Sequence, residues 1–129
     1  MRTETFILYG VVPAKKNSRL CARAGMRFVN IPSADFTAWH RRNVPSVIAQ
    51  RQGENRPHVL ARLRVVLRYP DKRRRDIDNA VSSILDLLVD AHVLKDDCWT
   101  CVPEISARAE LIETKGVQAH AEVVVEDLA

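Results

Sequence analysis

From Val59 to Tyr69 the chain alternates: Leu63, Val65, Leu67 and Tyr69 share one parity, while Arg62, Arg64 and Arg68 share the other. A two-residue period places the apolar set on one face of a strand and the arginines on the opposite face. The stretch therefore predicts a strand lying across a core with one side turned to solvent. Residues 4–12 carry β-prone side chains and stop at Pro13, which predicts a second strand closed by the loop Pro13 to Arg19. Further extended structure is expected near Met26–Asn30. A second alternation, Ile105, Ala107, Ala109 and Leu111, is followed by Gly116 and then by Ala121, Val123 and Val125, which reads as a hairpin.

Two segments read as helices. The first, 34–51, follows Pro32-Ser33, with Ser33 as its N-cap; Pro45 lacks an amide and clashes with the preceding turn, so a kink or split is expected there. In the second, Asn79–Ala91, the residues Ala80, Val81, Ile84, Leu85, Leu87, Leu88 and Ala91 follow a 3.6-residue spacing but cover more than one narrow stripe. Such a helix is either buried between sheet and first helix, or turns one face to a second subunit. The fold class is α+β, with a mixed sheet of about four strands and two main helices in a single domain over residues 1–129.

An apolar content of 47% and a charged content of 28% are those of a globular chain. No run approaches the roughly 18 apolar residues of a membrane span, and the N-terminus lacks the form of a signal peptide. A soluble, cytoplasmic protein is expected. The three cysteines fit reduced thiols rather than a disulfide framework. Cys98 and Cys101 have zinc-ligand spacing, but no second pair of ligands is evident, so they are expected to be ordinary buried thiols. Trp39 and Trp99 are expected in the core. His92 is expected to interact with the end of the second helix. There is no glycine-rich phosphate loop and no sign of a nucleotide cofactor.

A net charge of +4 says little, but Arg62, Arg64, Arg68, Lys72, Arg73, Arg74 and Arg75 fall close together and form a local basic patch. Into it run Asp76 and Asp78, expected at the end of a strand where period-two geometry aims both carboxylates the same way. Lys95-Asp96-Asp97 follows about twenty residues later. Paired carboxylates repel, and a hard divalent cation offsets that repulsion. An alternative is that Asp78 caps the helix and Asp76 pairs with an arginine. Carboxylates for Mg²⁺ beside cations for phosphate are the components that phosphodiester hydrolysis requires.

The run Arg73 to Asn79, the apolar helix from Ala80 to Ala91 and the pair Asp96-Asp97, preceded by the loop Pro13 to Arg19, resemble the RusA family of Holliday-junction resolvases. The resemblance covers almost the whole chain and is sharpest in its centre. It implies a homodimeric, Mg²⁺-dependent endodeoxyribonuclease, with Mn²⁺ as a substitute ion, that nicks opposed strands of four-way DNA junctions in recombination and repair. It also implies that Asp76, Asp78 and Asp97 are the catalytic and metal-binding residues, with Asn79 in support. Lys15, Lys16, Asn17, Lys72, Arg73, Arg74 and Arg75 would face DNA. The family commonly carries a lysine four residues after the second aspartate; here that residue is Ser82. Either Lys15, Lys16 or Lys72 supplies the charge, or the chain cuts slowly or has become a junction-binding protein without cleavage. Outside that family, the same aspartates would suit a domain with a structural cation.

Overall fold

A computed structural model describes residues 2–14, 19–24, 27–32, 34–52 and 55–128. Along the chain run β1 (Thr3–Tyr9), β2 (Arg19–Ala24), β3 (Arg27–Pro32), α1 (Ala34–Gln50), β4 (Ala61–Tyr69), α2 (Ile77–Asp90), β5 (Glu104–Leu111) and β6 (His120–Asp127). The main sheet has the order β1-β6-β4-β5, and β2 and β3 form a separate antiparallel pair. The expected mixed four-stranded sheet with two helices is what forms. Ser33, expected as a cap, lies outside the described residues.

The alternation in β4 is realised in full. Leu63, Val65, Leu67 and Tyr69 are buried, as are Phe6 and Leu8 of β1 and Ala121, Val123 and Val125 of β6. Phe36, Trp39 and Val47 of α1 and Ala80, Ile84, Leu87 and Leu88 of α2 complete the core with this face of the sheet. At about 25 cal/mol per Å² of apolar surface removed from water, this layer is the main stabilising term of the fold. The strongest apolar face of α2 is thus buried within the chain.

The expected β5–β6 hairpin does not form. β5 pairs in parallel with β4, with Leu63 beside Ile105 and Tyr69 beside Leu111, while β6 pairs antiparallel with β4 on its other side and with β1. β4, the strand buried most evenly on its inner face, lies between the two. The connection 112–119 arches over its end, with the Ile112 amide donating to the Tyr69 carbonyl at 2.8 Å and Gly116 taking φ +88°. Alternation specifies which face of a strand is buried, but not which strand it pairs with.

Helix α1 runs unbroken through Pro45 rather than splitting. Pro45 and Arg41, whose carbonyl loses its usual donor, are both exposed. Water can therefore satisfy that carbonyl, and the cost of the proline is moderated. Three other expectations fail on exposure. Trp99 is 77% exposed, while Trp39 is in the core as expected. Cys98 is exposed and Cys101 half-buried, because residues 98–102 form one tight surface turn with Cys101 and Val102 amides donating to the Cys98 carbonyl.

The two sheet edges differ. On β1, the amide and carbonyl of Tyr9 are matched by the side-chain amide of Asn43 at 2.8 and 3.0 Å, and those of Ile7 by Gln50 at 2.8 and 2.9 Å. Helix α1 thereby closes that edge. The outer edge of β5 has no strand beside it among the described residues.

Candidate active site

Pro70 ends β4, and residues 70–76 cross to α2 as irregular chain. Asp76 and Asp78 are therefore not aimed by a strand pleat, contrary to the sequence expectation. Asp76 is the N-cap residue of α2, extended at φ −98° and ψ 120°, and Asp78 lies in the first helical turn. Both are exposed at the positive end of the helix dipole, which favours anionic groups. The Asp76 carboxylate makes no capping hydrogen bond. Its Oδ2 accepts from Asn79 Nδ2 at 3.4 Å, and Asn79 is buried. Among the described residues neither aspartate is ion-paired with an arginine, so the arrangement expected of a merely capping Asp78 and a paired Asp76 is not found.

A cleft of about 750 Å³ lies over this helix start, walled by Val12, Pro13, Tyr69, Arg74, Arg75 and Asp76. Buried Ser83 of α2 donates to the Pro13 carbonyl at 2.5 Å and so ties the first loop to the helix that carries the aspartates. Lys15, Lys16 and Asn17 lie outside the described residues.

The basic patch divides into two populations. On β4, Arg62 pairs with Glu104, Arg64 with Glu126 at 3.2 Å, and Arg68 with Glu122 at 3.0 Å and Glu110 at 3.5 Å. These charges are spent within the sheet. Lys72, Arg73 and Arg74 are exposed on the crossing. Arg75 is held: Nη1 reaches Asp71 Oδ1 at 2.9 Å and the Asp71 carbonyl at 3.2 Å, and its guanidinium lies 4.5 Å from the centre of the Tyr69 ring. Bonds from the Arg73 amide and then from Arg75 hold the Asp71 carboxyl below its ordinary range. Burial pushes the Tyr69 phenol up, and its hydroxyl has no hydrogen-bond partner among the described residues. This clamp was not anticipated from sequence: residues 71–75 are irregular chain, so the helical rule that pairs residues four apart does not apply to Asp71 and Arg75.

Asp97 is exposed on the turn after α2. Its amide donates to Asp96 Oδ1 at 2.7 Å, and that bond holds the Asp96 carboxyl below its usual range. The fold does not bring Asp97 to the other two aspartates. Among the described residues, the grouping of three whose ligand atoms all lie within 4.8 Å of one another is His40, Asp86 and Asp90, where His40 Nε2 meets Asp90 Oδ2 at 2.7 Å. His92 interacts with the helix end through its backbone: it takes φ +60° just beyond α2, and its amide donates to the Val89 carbonyl at 3.0 Å, while its own carbonyl accepts from Arg51.

The family model described as Endodeoxyribonuclease RusA matches residues 10–126. This chain belongs to the RusA family. A stretch of 58 residues is 34% identical to the crossover junction endodeoxyribonuclease rusA of Enterobacteria phage HK97, covering 45% of this chain and 48% of that protein. The match thus spans about half the length of that RusA relative. Among the described residues, no helix is long and apolar enough to cross a membrane.

Proposed function

We propose that this chain is a divalent-metal-dependent endodeoxyribonuclease that acts as a homodimer on four-way DNA junctions, with Asp76, Asp78 and Asp97 as its metal-binding carboxylates. The observation that carries the reading is an exposed Asp76, unpaired among the described residues, in the wall of a cleft shared with Arg74 and Arg75, in a chain of the RusA family. All three candidate ligands offer carboxylate oxygen, the donor set that suits Mg²⁺ or Mn²⁺. When bound, such an ion lowers the pKa of a water and stabilises charge at the reacting phosphate.

The chain's own residues do the rest. Asn79 orients the Asp76 carboxylate. Arg75, restrained by Asp71 and Tyr69, presents a fixed guanidinium to a backbone phosphate, and Lys72, Arg73 and Arg74 add charge without a fixed geometry. Contacts of this kind position the backbone but carry little base information, so recognition rests on the shape of the branched DNA. A two-fold dimer matches the two-fold symmetry of a junction and its paired nicks.

Asp76→Asn is the test. The variant should lose Mg²⁺-dependent nicking of a labelled four-way junction and bind the junction as well as the native protein or better, since a negative charge near phosphate is removed. Cleavage at the native rate would reject the assignment.

A further inference from the structure

Trp99 is the most exposed large apolar side chain among the described residues, with 77% of its surface open, whereas Trp39 is buried with its ring 6.2 Å from that of Phe36. An indole left in water forgoes the burial that folding usually gives it, so its placement has a cause outside the core. The turn that carries it is closed on itself. The amides of Cys101 and Val102 both donate to the Cys98 carbonyl, at 3.0 and 2.9 Å, and the Cys98 thiol meets the Thr100 hydroxyl at 3.0 Å. Main-chain bonds fasten both flanks to the start of β4: the Lys95 amide donates to the His58 carbonyl at 3.0 Å and the Ala61 amide to the Cys101 carbonyl at 2.8 Å. Asp97 and Trp99 thus share one held segment beside the Ala61 end of the strand, while Asp76 belongs to the Tyr69 end, since those two residues wall one cleft. Residues 95–100 are all exposed, and Lys95, Asp96 and Asp97 precede the indole. The core of a subunit interface is depleted of charged residues, so this surface suits a polar, hydrated partner that brings its own flat apolar face.

We propose that Trp99 is a DNA-binding residue whose indole stacks on an unstacked nucleobase beside the phosphate to be cut. The inference rests on the reading of Asp97 as a group that faces DNA, and adds what lets the site prefer branched DNA. Two residues span at most about 7 Å of chain, and nucleotides follow one another at about 3.4 Å along a stacked strand. An indole two residues from Asp97 therefore meets a base within about two nucleotides of a phosphate held there. In a linear duplex each base is covered on both faces by its neighbours and offers the indole nothing. At a branch the stack is interrupted, so a base there has a free face or leaves its neighbour at the least cost. Stacking on an aromatic ring is indifferent to which base is present. That indifference fits a chain whose exposed cations Lys72, Arg73 and Arg74 suit the DNA backbone rather than base edges. Because the turn is already closed, its backbone loses little freedom when the base arrives.

Binding titrations test this. Full-length native protein, Trp99→Ala and Trp99→Phe are each titrated against a four-way junction and a linear duplex of the same sequence, without divalent ion so that nothing is cut. The ratio of junction to duplex affinity should fall by roughly 5- to 100-fold in Trp99→Ala and stay near the native value in Trp99→Phe, which keeps an aromatic face. An unchanged ratio in Trp99→Ala overturns the proposal. So does a Trp99→Ala protein that sediments as a smaller species than the native one, since the indole is then a contact between copies. A native protein that does not distinguish junction from duplex defeats the junction reading itself and takes this inference with it, and that control separates the two failures. Photo-cross-linking uses the native chain and so does not depend on how the variants fold. With 5-iododeoxyuridine placed in turn at each position within about three nucleotides of the branch, irradiation should join the DNA to the peptide that contains Trp99 at one or more of these positions, and at none in the linear duplex. Irradiated junction complexes with no cross-link to that peptide overturn the proposal.

Discussion

Glu4→Gln should destabilise the protein far more than a change of one atom type suggests. Glu4 is the hub of a network under the sheet. It accepts from Arg51 at 2.8 and 3.2 Å and from the His58 ring at 2.8 Å, and the other His58 nitrogen contacts Asp127, which also accepts from the Arg2 amide at 3.0 Å. The side chains of His58 and Arg51 are 0% and 3% exposed, so neither can recover its lost partner from water. Removing one member of a buried pair typically costs about 3–5 kcal/mol, and because Gln keeps the volume and one acceptor the expected loss is about 2–4 kcal/mol. For a chain of 129 residues that lowers Tm by about 10 °C. Burial raises the Glu4 and Asp127 carboxyls, but the bonds from Arg51 and His58 to Glu4, and from His58 and the Arg2 amide to Asp127, bring both below their ordinary values. A carboxyl depressed in the folded state contributes stability that is full above the unfolded pKa of about 4 and is lost as pH falls through the folded one. Urea unfolding of both proteins at pH 7 and at steps below pH 5 reads this directly. The difference should be widest at neutral pH and shrink in acid. A variant within about 0.5 kcal/mol of the native protein at pH 7, or a gap that stays constant down to pH 2, refutes the reasoning.

Tyr69→Phe should leave folding stability unchanged or slightly raised in urea unfolding, because the hydroxyl it removes is buried without a partner among the described residues. His92→Gly should raise stability by about 0.5–1 kcal/mol, measured the same way, since glycine adopts the left-handed geometry without a Cβ clash. Arg75→Ala should weaken junction binding and lower the slope of log K against log salt by about one phosphate contact, whereas Arg64→Ala, already paired with Glu126, should leave that slope alone. Titrations at several salt concentrations separate the two.

How far the fold could be read from sequence depended on whether one residue's neighbours in the chain determined its environment. β4 was legible because its alternation reports directly on one buried and one wet face. The face of β6 was legible for the same reason, and Gly116 marked its turn. The pairing of β5 was not, since a parallel strand reached by a helical crossover has the same alternation as one arm of a hairpin. Trp99, Cys98 and Cys101 were misplaced because composition assigns such residues to cores, whereas their surroundings are set by a surface turn pinned to His58 and Ala61. The aspartates divide along the same line. Asp76, Asn79 and Arg75 are adjacent in sequence and adjacent in the site. Asp97 is distant in sequence, and a motif has no means of stating that α2 and β4 place it at the other end of the sheet.

The missing lysine has a consequence for the chemistry. Ser82 is half-buried on α2, and among the described residues the cations that share the cleft wall with Asp76 are Arg74 and Arg75. A lysine next to the scissile phosphate can both hold charge and give up a proton to the departing oxygen. An arginine keeps its proton at any pH the fold survives and can only hold charge. With the metal site proposed for Asp76, these arginines would fix the phosphate and offset its charge, and the proton for the leaving group would have to come from water or from a lysine such as the exposed Lys72. The clamp on Arg75 fits that narrower role, because a group that only positions gains from being held by Asp71 and Tyr69, whereas a proton donor must follow the bond that breaks.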